Sequence, residues 1–436
     1  MANNLASCDE EEHEVRIDIQ AAECCIHKVP RNLREVNPEA YTPQLVSIGP
    51  YHHGQNALAD MENHKRRYMN SFGQRIPYSP DRKKEILKFV GKKEKRIRRQ
   101  YAEPLDIPSD EFVEMIILDA VFIIELLWRF GNRDSYDFLL NEVWLRAIRR
   151  DLLLLENQLP YFLLEGLYNL AFTSASKDEV SDDERIPFTS LSVFFFELNR
   201  SHNRPLSCQS RSIKINHFTD LCRYALVEIP KYPKFKLRIT SEDILPNALK
   251  LKNSGLKFEP CRNRYLVDIQ YQKIKSPMSF STVVELQIPP IEITDNTECL
   301  IRNLMALELC HYPSKTYICS YIQVMDSLIN TEDDVDLLVE KGIIVNFMGN
   351  NSVIADMFNE LCRQVPLSYT YYDDLCCDVN EHYESAWNHT MTTLRRVYFS
   401  NLWRGTATAV AIILLLLTLT QTVFSILQVV LPNQMI

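Results

Sequence analysis

Apolar and polar residues alternate at helical spacing over most of the chain. MENHKRRYMNSF, from Met61, leads toward DRKKEILKFVGKKEKRIRRQYAE, where Ile86, Leu87, Phe89, Val90 and Ile97 punctuate many charges. Apolar residues recurring every three or four positions predict amphipathic helices there. DEFVEMIILDAVFIIELLWRFG reads as a strongly apolar helix, with Glu125 and Arg129 one turn apart and able to pair, and Gly131 as its stop. RAIRRDLLLLENQLPYFLLEGLYNLAF is a second apolar helical stretch, kinked or restarted at Pro160. SVFFFELN and HFTDLCRYAL look helical. So do TECLIRNLMALELCHY, TYICSYIQVMDSLI, EDDVDLLVEKG and NNSVIADMFNELCRQV. Asp333 and Asp334 in a first turn and Gly342 beyond the end suit helix capping.

Other stretches break that period. GLKFEP, YLVDIQYQ and VVELQIPPIEI are short, rich in branched residues and bounded by Pro and Gly, which predicts strands. Prolines at 30, 38, 43 and 50 forbid a continuous helix, so that segment is expected to be extended with turns, QLVSIG forming a short strand. Residues 1–20 are polar and acidic, and are expected to be disordered. A surface loop is expected near 173–187, where SASKDEVSDDER is polar. No internal repeat is visible. The expected fold is a mainly α-helical body over 21–400, α+β with a small minor β-sheet, plus one C-terminal transmembrane helix.

That helix is read from Gly405 to Leu431, within a stretch lacking Asp, Glu, Lys and Arg. Its 27 residues would extend roughly 40 Å, enough to cross a bilayer core with some tilt. Gln421 and Gln428 lie seven apart on one face and suit a helix–helix contact. Arg395, Arg396 and Arg404 precede it and no basic residue follows, so the body is expected in the cytosol. Residues 432–436 make a short tail, and Tyr398 and Trp403 suit the interface. This gives a single-pass, tail-anchored membrane protein, with the plasma membrane preferred over an internal one. The sequons at Asn199, Asn350 and Asn388 are then chance matches.

Composition narrows the class. Apolar content of 46% and charged content of 24% are those of a folded protein. Ten glycines in 436 residues argue against a glycine-rich phosphate-binding enzyme. The formal charge of -9 disfavours nucleic acid as a partner. Twelve scattered cysteines, without C-x-x-C and without a secretory signal, read as reduced, buried thiols.

Several stretches occur in a fixed order: VPRNLREVNPEAYTPQLVSIGPYHHG, MENHKRRY, LDAVFIIELLWRF, RDLLLLENQLPYFLLEGLY, TECLIRNLMALELCHY and YIQVMDSLINTEDDVDLLVEKGIIVN, then the apolar C-terminal run. Together they resemble the plant family called domain of unknown function 247, from about Cys24 to the apolar run with no block missing. The resemblance implies a land-plant protein, usually ending in one membrane helix and with no established biochemical activity. Some grass members are linked to the male determinants of gametophytic self-incompatibility, which implies recognition or signalling. It supplies no catalytic residues.

Candidate chemistry is sparse. G-x-S-x-G, G-x-G-x-x-G, P-loop, H-E-x-x-H and EF-hand spacings are absent. The strongest cluster is His52 and His53, followed by Glu62, His64 and Lys65. Its readings are a turn whose imidazoles bond to backbone or to Glu62, a ligand or metal site, and a partner contact. Glu156, Asn157 and Gln158 interrupt an apolar run and need partners, either a buried network with Arg31 or Arg34 or a pocket. Asp119 raises the same question. Cys310-His311 lack the facing geometry of a nucleophile pair, and no zinc set assembles. Arg82, Lys83, Lys84, Lys92, Lys93, Lys95, Arg96, Arg98 and Arg99 form a basic patch, which is either a solvated helix face or a site for anionic lipid headgroups or an acidic partner. No cofactor is expected. The favoured function is recognition or signalling through protein partners; the alternatives are an enzyme with a pocket near the Pro/His segment and a membrane scaffold.

Overall fold

The computed structural model describes residues 24–430 apart from 76–79, 134–135, 173–185, 199–213, 228–243, 263–264, 276–281, 367–370 and 386–401. The expected N-terminal disorder, most of the surface loop and the sequons at Asn199 and Asn388 lie outside these residues. The described body is mainly helical with a small minor sheet.

Buried side chains gather into two large cores. The first draws on α2 (Ala59–Arg75), α3 (Pro80–Arg98), α4 (Ser109–Gly131), α5 (Glu142–Leu152), α6 (Tyr161–Phe172) and α7 (Phe188–Phe195). Helix α4 is its axis, because Phe112 and most residues from Met115 to Leu127 are buried. That burial explains its apolar sequence: α2, α3, α6 and α7 all pack on it. Gly131 is the last residue of α4 and Glu125 and Arg129 pair at 2.7 Å; the stretch expected to be helical through Pro160 instead ends at Leu152 and is non-helical over 153–160 before α6 begins at Tyr161.

The second core follows α8 (Phe218–Leu226). It contains α9 (Ala248–Asn253), β1 (Lys257–Pro260), β2 (Gln270–Lys275), β3 (Thr282–Ile288) and β4 (Ile291–Ile293). Beyond these come α10 (Thr297–His311), α11 (Tyr317–Leu328), α12 (Glu332–Glu340), β5 (Ile344–Asn346), α13 (Asn351–Leu361) and α14 (Asp373–Glu384). Strand β3 lies between β1, parallel to it, and β2, antiparallel, with Leu286 opposite both Phe258 and Tyr271. Strands β4 and β5 pair in parallel as a second, two-stranded sheet. VVELQIPPIEI is therefore two strands in two sheets, divided at Pro289-Pro290 where the ladder lacks donors. YLVDIQYQ becomes a strand only at Gln270, because the Asp268 amide turns back to the Tyr265 carbonyl.

Caps fix the helix ends. Asp334 closes a capping box with Thr331 at the start of α12. At its end the amides of Gly342 and Ile343 return to the carbonyls of Val339 and Leu338, the Schellman arrangement, with Gly342 at φ +71°. Asn350 caps α13 by accepting from the Ser352 amide at 2.9 Å.

A third, small core binds the two large ones. Val29, Leu33, Ala40 and Tyr41 of the proline segment meet Leu155, Ala306 and Leu307 there. This segment contains one short α-helix, α1 (Arg31–Val36), between Pro30 and Pro38, and 3-10 turns at Pro38–Tyr41 and Asn56–Leu58. The expected strand QLVSIG is absent; the segment is extended, but its amides bond to side chains instead of to another strand.

The last helix, α15, runs Leu402–Val430 over 29 residues. Its described side chains from Val410 to Ile426 are all exposed. Among the described residues, which on this helix give a continuous run of side chains only from Val410 to Ile426, no helix is long and apolar enough to cross a membrane.

Candidate functional site

The Pro/His segment, residues 24–58, crosses the seam between the two cores with few backbone partners of its own. A buried extended chain must place its amides somewhere, and here buried polar side chains receive them. Asp151, at the end of α5, accepts from the amides of Gln44, Leu45 and Val46 at 2.7–3.1 Å. Asn157 accepts from the Ile48 amide at 2.7 Å and donates to the Val46 carbonyl at 2.9 Å. Asp119 accepts from the Gly49 amide at 2.8 Å, and Glu156 from the Val29 amide at 2.6 Å. Gly49 has φ +71°, and a Cβ there would stand 2.7 Å from the Gln158 carbonyl oxygen, so glycine is required twice over.

Two ion pairs, one buried and one half-buried, complete this cradle. Lys65 Nζ, 1% exposed, reaches Asp119 Oδ1 at 2.6 Å, Glu62 Oε1 at 2.5 Å and the Ser47 carbonyl at 2.5 Å. All three ammonium donors are therefore used. Burial opposes its charge, yet the Asp119 and Glu62 carboxylates outweigh that and hold its pKa above the ordinary lysine value. Glu156 Oε1 meets Arg34 Nη2 at 2.6 Å. Its Oε2 lies 3.6 Å from Nε2 of buried His52. Burial, then Arg34 and Lys28, pushes His52 down to about 4, so it is neutral at physiological pH.

The sequence-selected residues thus divide. His52, Glu156 and Asn157 sit together under the proline segment, with Arg34 and not Arg31 as the arginine partner; Arg31 pairs with Glu35 at the surface. Glu62 belongs to the neighbouring Lys65–Asp119 cluster. His53 is exposed, and His64 stacks edge-on against Phe138, 5.0 Å between centroids. His53 and Glu62 border a groove of about 1470 Å³ between α2, α3 and α4. In the basic patch, Lys83, Lys84, Lys92, Lys95, Arg96 and Arg99 are exposed and Lys93 and Arg98 half-buried, while the side chain of Arg82 lies outside the described residues.

The seam also holds polar groups that the sequence pattern does not single out. Asn303 of α10 donates to the Ala40 carbonyl at 2.7 Å and accepts from the Leu155 amide at 2.9 Å, tying both cores to the proline segment. Arg223 and Glu308 are fully buried and paired at 2.8 Å, and Glu308 also accepts from the Cys319 amide. His217 Nδ1 accepts from the Asp220 amide while Nε2 faces the Cys25 carbonyl at 3.1 Å, which selects the Nε2–H tautomer. Burial pushes His217 down to about 3. His27 and His311 approach to 3.3 Å. The only available signal was a lone charge inside an apolar run, as in RDLLLL for Asp151 and LELC for Glu308.

This chemistry is that of a clamp. The buried acids have donors already and the buried lysine has no donor to spare. Burial raises the thiols, Cys222 to about 12 and Cys299 and Cys310 to about 11, so they stay protonated and poorly nucleophilic. Cys310 is thus a poor partner for His311 in nucleophilic attack. Among the described residues no three His, Cys, Asp or Glu side chains converge to hold a metal ion.

The chain is 29% identical to the UPF0481 protein At3g47200 of Arabidopsis thaliana over 408 residues, 87% of this chain and 81% of that one. It is 23% identical to a second UPF0481 protein of that plant, At3g02645, covering 90% of this chain and 88% of the relative. No solved structure matches. A family model described as "Plant protein of unknown function" matches residues 26–417, from the start of the clamped segment into α15, and the chain belongs to that family, DUF247.

Proposed function

We propose that this chain is held in a membrane by α15 and acts through protein contacts made by its body on the cytosolic side. The observation that carries the reading is α15 itself. Its 29 residues would extend roughly 43 Å, against a bilayer core of about 30 Å. Val410, Leu415 and Leu416 stand exposed roughly a third of a turn apart around it, and a helix apolar all round is soluble only when covered. The uncharged sequence from Gly405 to Leu431 extends the same character to both ends. The arginines at 395, 396 and 404 support a cytosolic body. Contact function is supported by the clamp: its buried charges are engaged with one another and with backbone, leaving stability as their role.

The test compares the full chain with one ending before Gly405 in plant cells. The full chain should resist alkaline extraction from membranes, its body should be digested by protease added to intact microsomes, and proximity labelling should enrich specific proteins. A full chain released by alkali as readily as the truncated one would overturn the anchor. A protected body would overturn the orientation, and labelling identical to a free cytosolic control would overturn the contact role.

A further inference from the structure

Helix α3 carries a feature that neither the clamp nor the anchor uses. Lys84, Lys88, Lys92, Lys95 and Arg99 are all exposed and recur every three or four residues along α3 and the turn that follows it. At 3.6 residues per turn they fall within an arc of about 80° and form a ridge roughly 22 Å long. Ile86, Val90 and Ile97, on the opposite face, are buried in the first core. The ridge is therefore fixed in direction by the packing behind it. Of the acids whose side chains are described on the helix, Glu94 turns inward to Arg98 at 2.8 Å and to Ser109 at 2.6 Å, and exposed Glu85 stands about 20° beyond the edge of the ridge. Arg96, off the ridge, is spent over the Phe162 ring at 4.0 Å. A chain of net charge -9 has gathered one straight cationic face.

We propose that this face of α3 lies on an anionic bilayer surface. The residue types favour lipid over a shaped partner. Four of the five are lysines, compact point charges on flexible stems, without the bidentate forks and aromatic anchors that specify protein interfaces. A straight, uniform ridge matches a flat layer of phosphate and carboxylate headgroups. Among the described residues of α3, exposed Leu87, about 60° beyond the edge of the ridge, is the large apolar side chain placed to dip below the headgroups. Juxtaposed lysines of this kind attract anionic leaflets within a Debye length. The proposal rests on the membrane-held reading for its local concentration, since a tether removes the cost of finding the surface. Contact along α3 would then fix how the body faces the cytosol.

The full chain is incorporated into nanodiscs of phosphatidylcholine alone or with about a third phosphatidylserine, and lysine acylation rates are mapped by mass spectrometry. Lys88, Lys92 and Lys95 should react about five-fold more slowly in the anionic discs, the size expected of one lysine's attraction to such a surface. Exposed Lys252 and Lys257 should not change. Salt near 1 M, which shortens the Debye length to about 3 Å, should abolish the difference. In the variant K88E/K92E/K95E, whose three sites are exposed and leave the core intact, Lys84 should lose its protection. Equal rates in the two discs would overturn the proposal. So would stronger protection by soluble polyglutamate than by anionic discs, which would assign the ridge to an acidic protein. A chain that enters neither disc overturns the anchor instead, and the same footprint with added anionic vesicles then decides the ridge alone.

Discussion

The Lys65–Asp119 pair is the most exacting test of the clamp. Lys65→Met removes all three of the ammonium's donors and leaves Asp119, 1% exposed, with only the Gly49 amide among the contacts described above. Removing one partner of a buried pair costs about 3–5 kcal/mol. That is a large share of the roughly 5–15 kcal/mol that holds an ordinary domain folded. Asp119→Asn keeps an acceptor for Gly49, and Lys65 keeps Glu62 and Ser47, so its cost should be smaller, about 2 kcal/mol. The double variant leaves no unpaired charge from the pair, and its loss should fall short of the summed single losses by about 1–3 kcal/mol. Urea unfolding of the full chain in mild detergent, followed by near-ultraviolet circular dichroism, measures all four corners of the cycle. The pH arm follows from the raised lysine pKa. Its contribution is complete below the free value of 10.5 and is lost as pH rises past that through the folded value. Wild type should therefore weaken in strong alkali more than K65M does. Single losses that add to within about 0.5 kcal/mol would refute the coupled pair.

Three further outcomes are expected. Gly54→Ala, at φ +76° in open space, should cost only the backbone term, about 1 kcal/mol, whereas Gly49→Ala should cost several-fold more because its Cβ meets the Gln158 carbonyl; equal midpoints in urea would count against the close approach. Arg223→Met should destabilise by about 3–5 kcal/mol by stranding Glu308, and R223M/E308L should recover much of it; no recovery in the unfolding midpoint contradicts the pairing. Stability should fall on acidification below pH 6.5, because the unfolded chain takes protons on His52 and His217 that the folded chain accepts only near 4 and 3. Asp220, raised by burial to about 6, is protonated in the folded state first and cancels one of these between about pH 6 and 4, while His311, lowered to about 4, and Asp326, raised to about 6, offset each other in the same window, leaving a slope of about 1.4 kcal/mol per pH unit; an unfolding free energy flat from pH 7 to 5 would contradict it.

Helices were legible in the sequence where burial is one-sided or complete, because the apolar period then reports packing directly. Helices α2, α3, α4, α10 and α13 are of this kind. Helix α14 was not: of its twelve residues only Cys376 and Val379 are buried, too few to set a period. Helix α1 was hidden by the prolines that flank its six residues, which exclude a long helix but permit one turn and a half. Strand β5 is three residues long, below what alternation can reveal.

The proline segment shows a different limit. QLVSIG has the composition of a strand, and its amides do need partners, but their acceptors are Asp151, Asn157 and Asp119, between 70 and 109 residues away in sequence. Local pattern cannot distinguish an amide paired with a strand from one paired with a carboxylate. The polar residues stranded in apolar runs carry that information. Asp119 in MIILDAVFII, Asp151 ahead of LLLL and Glu156-Asn157-Gln158 after it all stand where burial without a partner would be prohibitive. Each such residue implies donors elsewhere in the chain, and a segment barred by proline from making its own helix is where unpaired donors accumulate. The two anomalies are one structure: the acids are tolerated in the core because the proline segment supplies their hydrogen bonds, and the segment stays extended because the acids receive them.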